Sequence, residues 1–198
     1  MLQSVHKESK EIVQFLINHG ANIDAACNEG YTSLNVAIAN GNSEMVQLLV
    51  DNKADLNMNA SRRPPLIDAA YYNEVKIISI LLKNGANIEV TDIKMRTALH
   101  MAVYKNLIGI VLLLLKNGAN PDSKMLHGAT PLHIAIEYGK IKAAKLLIKY
   151  GANINGKNDQ GNSLLSVAAR KKNNEGLRLL IANHALSELK NQNGVTPL

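Results

Sequence analysis

"GATPLHIAIEYGKIKAAKLLIKYGANINGKNDQ", residues 128–160, is the stretch on which the fold turns. Copies of it start at Gly30, Arg62, Met95, Gly161 and Gly194. Four of the five steps between successive starts are 33 residues, and the step from Gly30 to Arg62 is 32. A short phrase marks the period: NHGAN at 18–22, KNGAN at 83–87 and again at 116–120, and KYGAN at 149–153. Active sites do not recur at a fixed period, whereas stacked architectures do.

Each copy has the same physical grammar. Thr130-Pro131 opens a helix, because a threonine hydroxyl caps free N–H groups and proline tolerates the first helical position. Leu132, Ala135 and Ile136 recur at helical spacing, and Gly139 breaks the helix. A second apolar stretch, Ile141 to Ile148, ends at Gly151 as a glycine in the left-handed region ends a helix. The rest, NINGKNDQG, is polar and turn-forming. The unit is a short helix, a turn, a longer helix and a projecting turn. One such unit cannot bury both its sides, but stacked units can, so stability becomes a sum of neighbour contacts.

The reference unit resembles the ankyrin repeat, whose first helix carries the signature T-P-L-H-x-A. TPLHIA at 130–135 matches it fully and TALHMA at 97–102 nearly so. TSLNVA at 32–37, PPLIDA at 64–69 and SLLSVA at 163–168 are worn versions. The resemblance covers essentially the whole chain. It implies an all-α solenoid of stacked helix-turn-helix units with projecting β-turns. It also implies a single repeat domain over 1–198, with units at 1–29, 30–61, 62–94, 95–127, 128–160 and 161–193 and the start of another at 194–198. The family's usual role is to bind other proteins on the concave face made by turns and first helices, and it does not imply an enzyme.

Departures from the pattern carry expectations. Lys53 and His184 stand where a terminating glycine is expected, at about 1 kcal/mol each if the left-handed conformation is kept. Gly109 and Gly176 fall inside second helices, where glycine costs roughly 0.5–1 kcal/mol. The units at 30–61 and 161–193 should therefore be looser than the unit at 128–160. Met1 aligns with the Leu of T-P-L-H, the chain stops at TPL, 196–198, and neither end reads as a polar capping repeat. These features suggest a segment of a longer protein.

The composition is consistent with close-packed helices. Hydrophobic residues make up 46% of the 198, with no Trp and one Phe. The net charge of +6 is too mild an excess to point to nucleic acid without a clustered basic face. The single Cys27 excludes an intramolecular disulfide and fits a reducing interior. The expected location is accordingly intracellular, cytoplasmic or nuclear, or a host cytosol for a secreted effector. The N-terminus is not a secretory signal, and the longest apolar run, 107–115, is too short to span a bilayer.

By analogy with the family, the partner-facing positions flank the turn glycine and the last turn of each first helix. Five of the six tyrosines fall on those positions by repeat phase alone: Tyr31, Tyr71, Tyr72, Tyr104 and Tyr138. Tyrosine offers a rigid face and a hydroxyl at low entropic cost and often anchors interfaces. Arg63, Lys94, Arg96, Lys105 and His127 occupy the same set, and Asp68 shares a helix face with Tyr71 and Tyr72. The turns at 93–96 and 125–127 also carry Ile93, Met95, Met125 and Leu126, where turn chemistry favours polar residues. These residues define an expected partner-binding patch centred on the units starting at 62, 95 and 128. In the competing reading the tyrosines merely pack between neighbouring first helices.

Other chemistry is not indicated. His100 and His133 occupy the signature position, where the side chain typically bonds turn backbone. The remaining histidines lack ligand spacing, so neither metal nor cofactor is expected. No phosphate loop or nucleophile elbow occurs, and no catalytic residue is assigned. ADLN at 54–57 resembles the turn context in which ankyrin repeats are hydroxylated on Asn, which would point to Asn57. The expected molecule is a monomeric protein-binding module for an extended segment or a folded domain. The alternative is the targeting or substrate-recognition part of a larger pathogen effector, channel or enzyme.

Overall fold

The computed structural model describes residues 2–58 and 63–196, residues 2–8 by backbone alone. The turn residues Ala60, Ser61 and Arg62, expected to flank or open the second full unit, lie outside them. Among the described residues there are eleven α-helices and no extended strand; one isolated bridge joins Lys157 and Ser163. The chain divides into two compact units, residues 1–92 and 93–198.

The first unit holds α1 (Leu2–Asn18), α2 (Ser33–Ala39), α3 (Ser43–Asp51), α4 (Pro65–Tyr72) and α5 (Val75–Lys83). Helices α2 and α4 pack side by side, α3 lies against α5, and α1 touches α3. Leu34, Ile38, Leu49, Leu66, Ile67, Ile77, Ile78 and Leu81 are buried between them. Lys10 pairs with Glu44, and Gln14 exchanges hydrogen bonds with Asn52, fastening α1 to α3.

The second unit holds α6 (Ala98–Tyr104), α7 (Ile108–Lys116), α8 (Pro131–Glu137), α9 (Ile141–Lys149), α10 (Leu164–Arg170) and α11 (Asn174–Ala182). Here α6, α8 and α10 form one row and α7, α9 and α11 a second. Leu99, Ile110, Leu114, Leu132, Leu147, Leu164 and Leu180 fill the space between the rows.

The expected grammar explains these elements. Thr32, Thr97 and Thr130 cap α2, α6 and α8, each in a capping box closed by the third helical residue, Asn35, His100 or His133. A left-handed residue separates the paired helices: Gly41, Asn73, Asn106, Gly139 or Lys172. Another ends each long helix, and Lys53 (φ 68°) and His184 (φ 61°) adopt that conformation as expected, despite their side chains. The first unit's opening differs from the grammar. Instead of two helices it has the single α1, whose position aligned with Gly139 is Glu8.

The repeated GAN phrase acquires a function beyond helix termination. The first polar residue of each Asn/Asp-x-Asn/Asp/Glu triplet bonds the N–H two residues on, as Asn22 does to Asp24 (3.0 Å) and Asn153 to Asn155 (2.9 Å). In four of them the third then reaches the next repeat. Asp24 accepts from the Asp55 N–H at 2.9 Å and Asn57 from that of Asn87 at 2.7 Å in the first unit. Asp122 accepts from Asn153 at 2.8 Å and Asn155 from Leu186 at 2.9 Å in the second. The phrase recurs because a copy closes its own turn and, within a unit, hydrogen-bonds its neighbour.

The two helical glycines are not equivalent. A Cβ on Gly109 would meet nothing within 4 Å, whereas one on Gly176 would lie 2.6 Å from Nδ2 of Asn173. Asn173 caps α11 through the Gly176 N–H (2.8 Å) and donates to the Ile136 carbonyl (2.7 Å). Gly109→Ala should therefore raise stability by about 0.5–1 kcal/mol in urea unfolding. Gly176→Ala should lower it by about 1 kcal/mol, by displacing the cap. A stabilising Gly176→Ala would show that the cap does not need the space.

Candidate functional site

The site residues expected from the sequence gather into two clusters, one in each unit. In the first unit a polar chain runs through α2 and α4. Asn35 sits where the signature histidine would be, closes the cap of α2 through its carbonyl oxygen, and donates its amide to Asp68 Oδ2 at 3.1 Å. Asp68 Oδ1 accepts from Arg63 Nε at 2.6 Å. The Arg63 guanidinium lies 4.0 Å from the centre of the Tyr71 ring, and Tyr71 meets Tyr72 edge-on with centroids 5.1 Å apart.

Burial divides the electrostatic load of this pair unevenly. Asp68 is 2% exposed, and burial pushes its carboxyl above the ordinary carboxylate range, against the opposing hydrogen bonds and charge of Arg63 and Asn35. Arg63 is less enclosed. Burial opposes its charge too, but the hydrogen bond and charge of Asp68 outweigh that and raise its pKa above the ordinary value. Asp68 shares a helix with Tyr71 and Tyr72 as expected, yet it is buried and holds Arg63 in place; its oxygens face inward. Tyr72 is the exposed member, at 40%. Tyr31 lines a separate groove of about 460 Å³ in the same unit, with Cys27, Val36, Met45 and Leu49.

In the second unit Tyr104 and Tyr138 stand at the ends of α6 and α8, their rings edge-to-face with centroids 5.2 Å apart. They pack on each other, and each also remains 52% exposed, so packing does not use them up. A groove of about 260 Å³ opens beside them, with Lys94 and Arg96 at the turn, Met101 and Ile134 as apolar lining, and Glu137 at the rim. Ile93 (73%), Met95 (51%) and Leu126 (46%) are exposed in the adjoining turns. Lys105 follows α6 directly and is exposed. His127 has a left-handed backbone (φ 67°) in the turn Leu126–Gly128, and its carbonyl accepts from the Asp159 N–H at 3.1 Å.

Met101 and Ile134 were not distinguishable as groove residues by sequence; they read as helix positions like any other apolar residue. Their repeat phase, shared by both and by Asp68, was the available signal. His100 does what the signature position implies: Nδ1 accepts from the Thr97 N–H at 3.2 Å, which leaves the ring proton on Nε2, facing the Ala129 carbonyl at 3.3 Å. His133 repeats the first contact at 3.3 Å, but its buried Nε2 makes no bond of normal geometry. Burial pushes its imidazole below the ordinary value, while the Asn162 backbone opposes that shift. Among the described residues no group of three His, Cys, Asp or Glu is arranged to hold a metal, and no helix is long and apolar enough to cross a membrane.

The family model for ankyrin repeats matches three times, over residues 1–60, 54–125 and 99–193. The chain is similar to the human ankyrin repeat and KH domain-containing protein 1, at 33% identity over 90 residues, 44% of this chain and 4% of that protein. It is also similar to the ankyrin repeat protein FPV034 of fowlpox virus (strain NVSL), at 34% identity over 55 residues, 28% of this chain and 13% of that protein. These matches therefore span only a small part of either relative.

Proposed function

This chain belongs to the ankyrin repeat family, and we propose that it is a protein-binding module whose partner docks on the tyrosine-lined groove of the second unit. The observation that carries this reading is the pair Tyr104 and Tyr138. Two large aromatic rings stand half exposed beside an apolar groove, with Ile93, Met95 and Leu126 exposed nearby. Exposed aromatic rings beside a groove of this kind suit an interaction site, and tyrosine is among the residues that most often anchor one. Tyr31, Arg63, Tyr71 and Tyr72 supply a second, smaller surface on the first unit, with Asp68 holding Arg63 over Tyr71. No catalytic role is assigned to the chain, and a monomer suffices for this function.

The test is affinity capture from lysate with the wild-type chain beside a Tyr104→Ala/Tyr138→Ala variant, circular dichroism confirming that both are folded. A partner held by wild type should bind the variant about 30-fold more weakly, as two anchors worth about 2 kcal/mol together require. Loss of the fold would make the tyrosines structural, and equal capture would move the site elsewhere.

The small share of each relative that the chain matches supports a second reading, in which these repeats are the recognition part of a longer protein. Mapping the full transcript decides it. Asn57 remains a proposed hydroxylation position. It is exposed, and its Oδ1 already accepts from the Asn87 N–H, so its Cβ must be reached without breaking that bond.

A further inference from the structure

The positive charge of the chain is not shared between its units. Residues 93–198 carry 15 Lys and Arg against 5 Asp and Glu, a formal +10; residues 1–92 carry 7 against 11, a formal −4. The whole-chain value of +6 conceals this division.

Six of these fifteen bases stand where the first helices end and where the turn enters α6; Lys116, Lys142, Lys145, Lys149 and Arg178 lie instead on the second helices α7, α9 and α11, and the other four in turns. Lys105 follows Tyr104 at the end of α6. Arg170 ends α10 and is followed by Lys171 and Lys172, all three exposed. Lys94 and Arg96 line the tyrosine groove from the turn side. Because α6, α8 and α10 lie side by side, their ends form one edge. Glu137, on that edge, is bridged to Lys171 at 3.0 Å, and Asp159 stands in a later turn over Gly128. In the first unit the corresponding ends carry Asn40 after α2 and Asn73 with Glu74 after α4, and no base. Lysine at a helix C-terminus also offsets the carbonyl end of the helix dipole. That accounts for one base at a helix end, but not for the run at 170–172 or the pair at 94 and 96.

We propose that the Tyr104–Tyr138 groove takes an extended acidic protein segment. An apolar side chain sits beside the rings against Met101 and Ile134. Carboxylates flanking it meet Lys94 and Arg96 in the turn and the bases at the helix ends. This rests on the protein-binding reading above and adds the chemistry of the partner. A protein segment fits better than a nucleic acid strand for two reasons. Between its charged rim residues the lining is apolar, with Met101, Met125, Ala129 and Ile134, and the rings stand at 89° to each other, so they offer no parallel platforms for successive bases to stack on.

The test is a random-peptide display selection on the full chain, followed by affinity measurement on synthetic copies of the enriched peptides. Enriched sequences should carry about three or more Asp or Glu around an apolar residue, and their binding should require Tyr104 and Tyr138. Affinity should fall about tenfold or more between about 0.05 and 0.5 M salt. Lys94→Glu/Arg96→Glu should weaken these peptides by a similar factor and, in its own selection, lose the acidic preference. Lys105→Glu/Arg170→Glu, at exposed helix ends, gives the same reading if the first pair disturbs the turn. Neutral or basic peptides that still need both tyrosines would overturn the acidic assignment and leave the protein-binding function standing. If no enriched peptide depends on the tyrosines, both fail. An oligothymidylate or phosphatidylserine vesicles that bind tighter than the best peptide, and are lost with the same charge reversals, would overturn the proposal in favour of that ligand.

Discussion

Gly128→Ala should remove about 3 kcal/mol of stability from the second unit, measured by urea unfolding. Gly128 has φ +71°, which an alanine adopts at about 1–2 kcal/mol. Its Cβ would lie 2.1 Å from Asp159 Oδ1 and 2.8 Å from the Asp159 backbone nitrogen. The carboxylate can swing away, but the backbone cannot without losing the 3.1 Å bond from the Asp159 N–H to the His127 carbonyl. Overpacking against fixed backbone adds about 1–3 kcal/mol. Gly151→Ala separates the two effects: its φ is +87° and its Cβ would meet nothing within 4 Å, so only the conformational part remains. If the two substitutions cost the same, the turn at Gly128 does not touch the backbone of Asp159.

Asp68→Ala should destabilise the first unit by about 2–4 kcal/mol. It leaves the Asn35 amide, in a residue 3% exposed, without its acceptor. It also strips the counter-charge from Arg63, whose side chain is 21% exposed. Arg63→Ala fails differently, because it leaves a buried carboxylate that can take up a proton. The folded pKa of Asp68 is already raised by burial, and losing the arginine raises it further. The folded state then binds more protons than the unfolded state above the ordinary carboxylate range, so stability falls as pH rises through that window. Arg63→Ala should accordingly be more stable, relative to wild type, at about pH 5 than at about pH 7. A deficit independent of pH would show that Asp68 stays ionised without its partner.

The charge division changes how the composition is read. A net +6 over 198 residues permits an acidic partner but is only a mild excess. The same charges, counted within each compact unit, give the second unit a formal +10, with Lys94 and Arg96 lining the tyrosine groove. Sequence phase had already placed Lys94, Arg96, Lys105 and the tyrosines on partner-facing positions. The boundary at Asp92, however, follows from contacts and has no composition marker.

The sequence alone determined the paired helices after α1 and their ends. Thr130, Pro131, Gly139 and Gly151 act through local backbone conformation and capping, which are properties of a few neighbouring residues. The period then determined the stacking, because each unit leaves apolar sides that only another copy can cover. It could not determine that Asp68 turns inward to Asn35 and Arg63 while Tyr72 turns outward, since both lie on one helix face. Nor could it reveal that Asn57 and Asp122 bond the following repeat, that Met101 and Ile134 line a groove, or that α1 runs unbroken in place of two helices. Those outcomes depend on which side chain reaches which neighbour about 30 residues away, and only packing in three dimensions decides that.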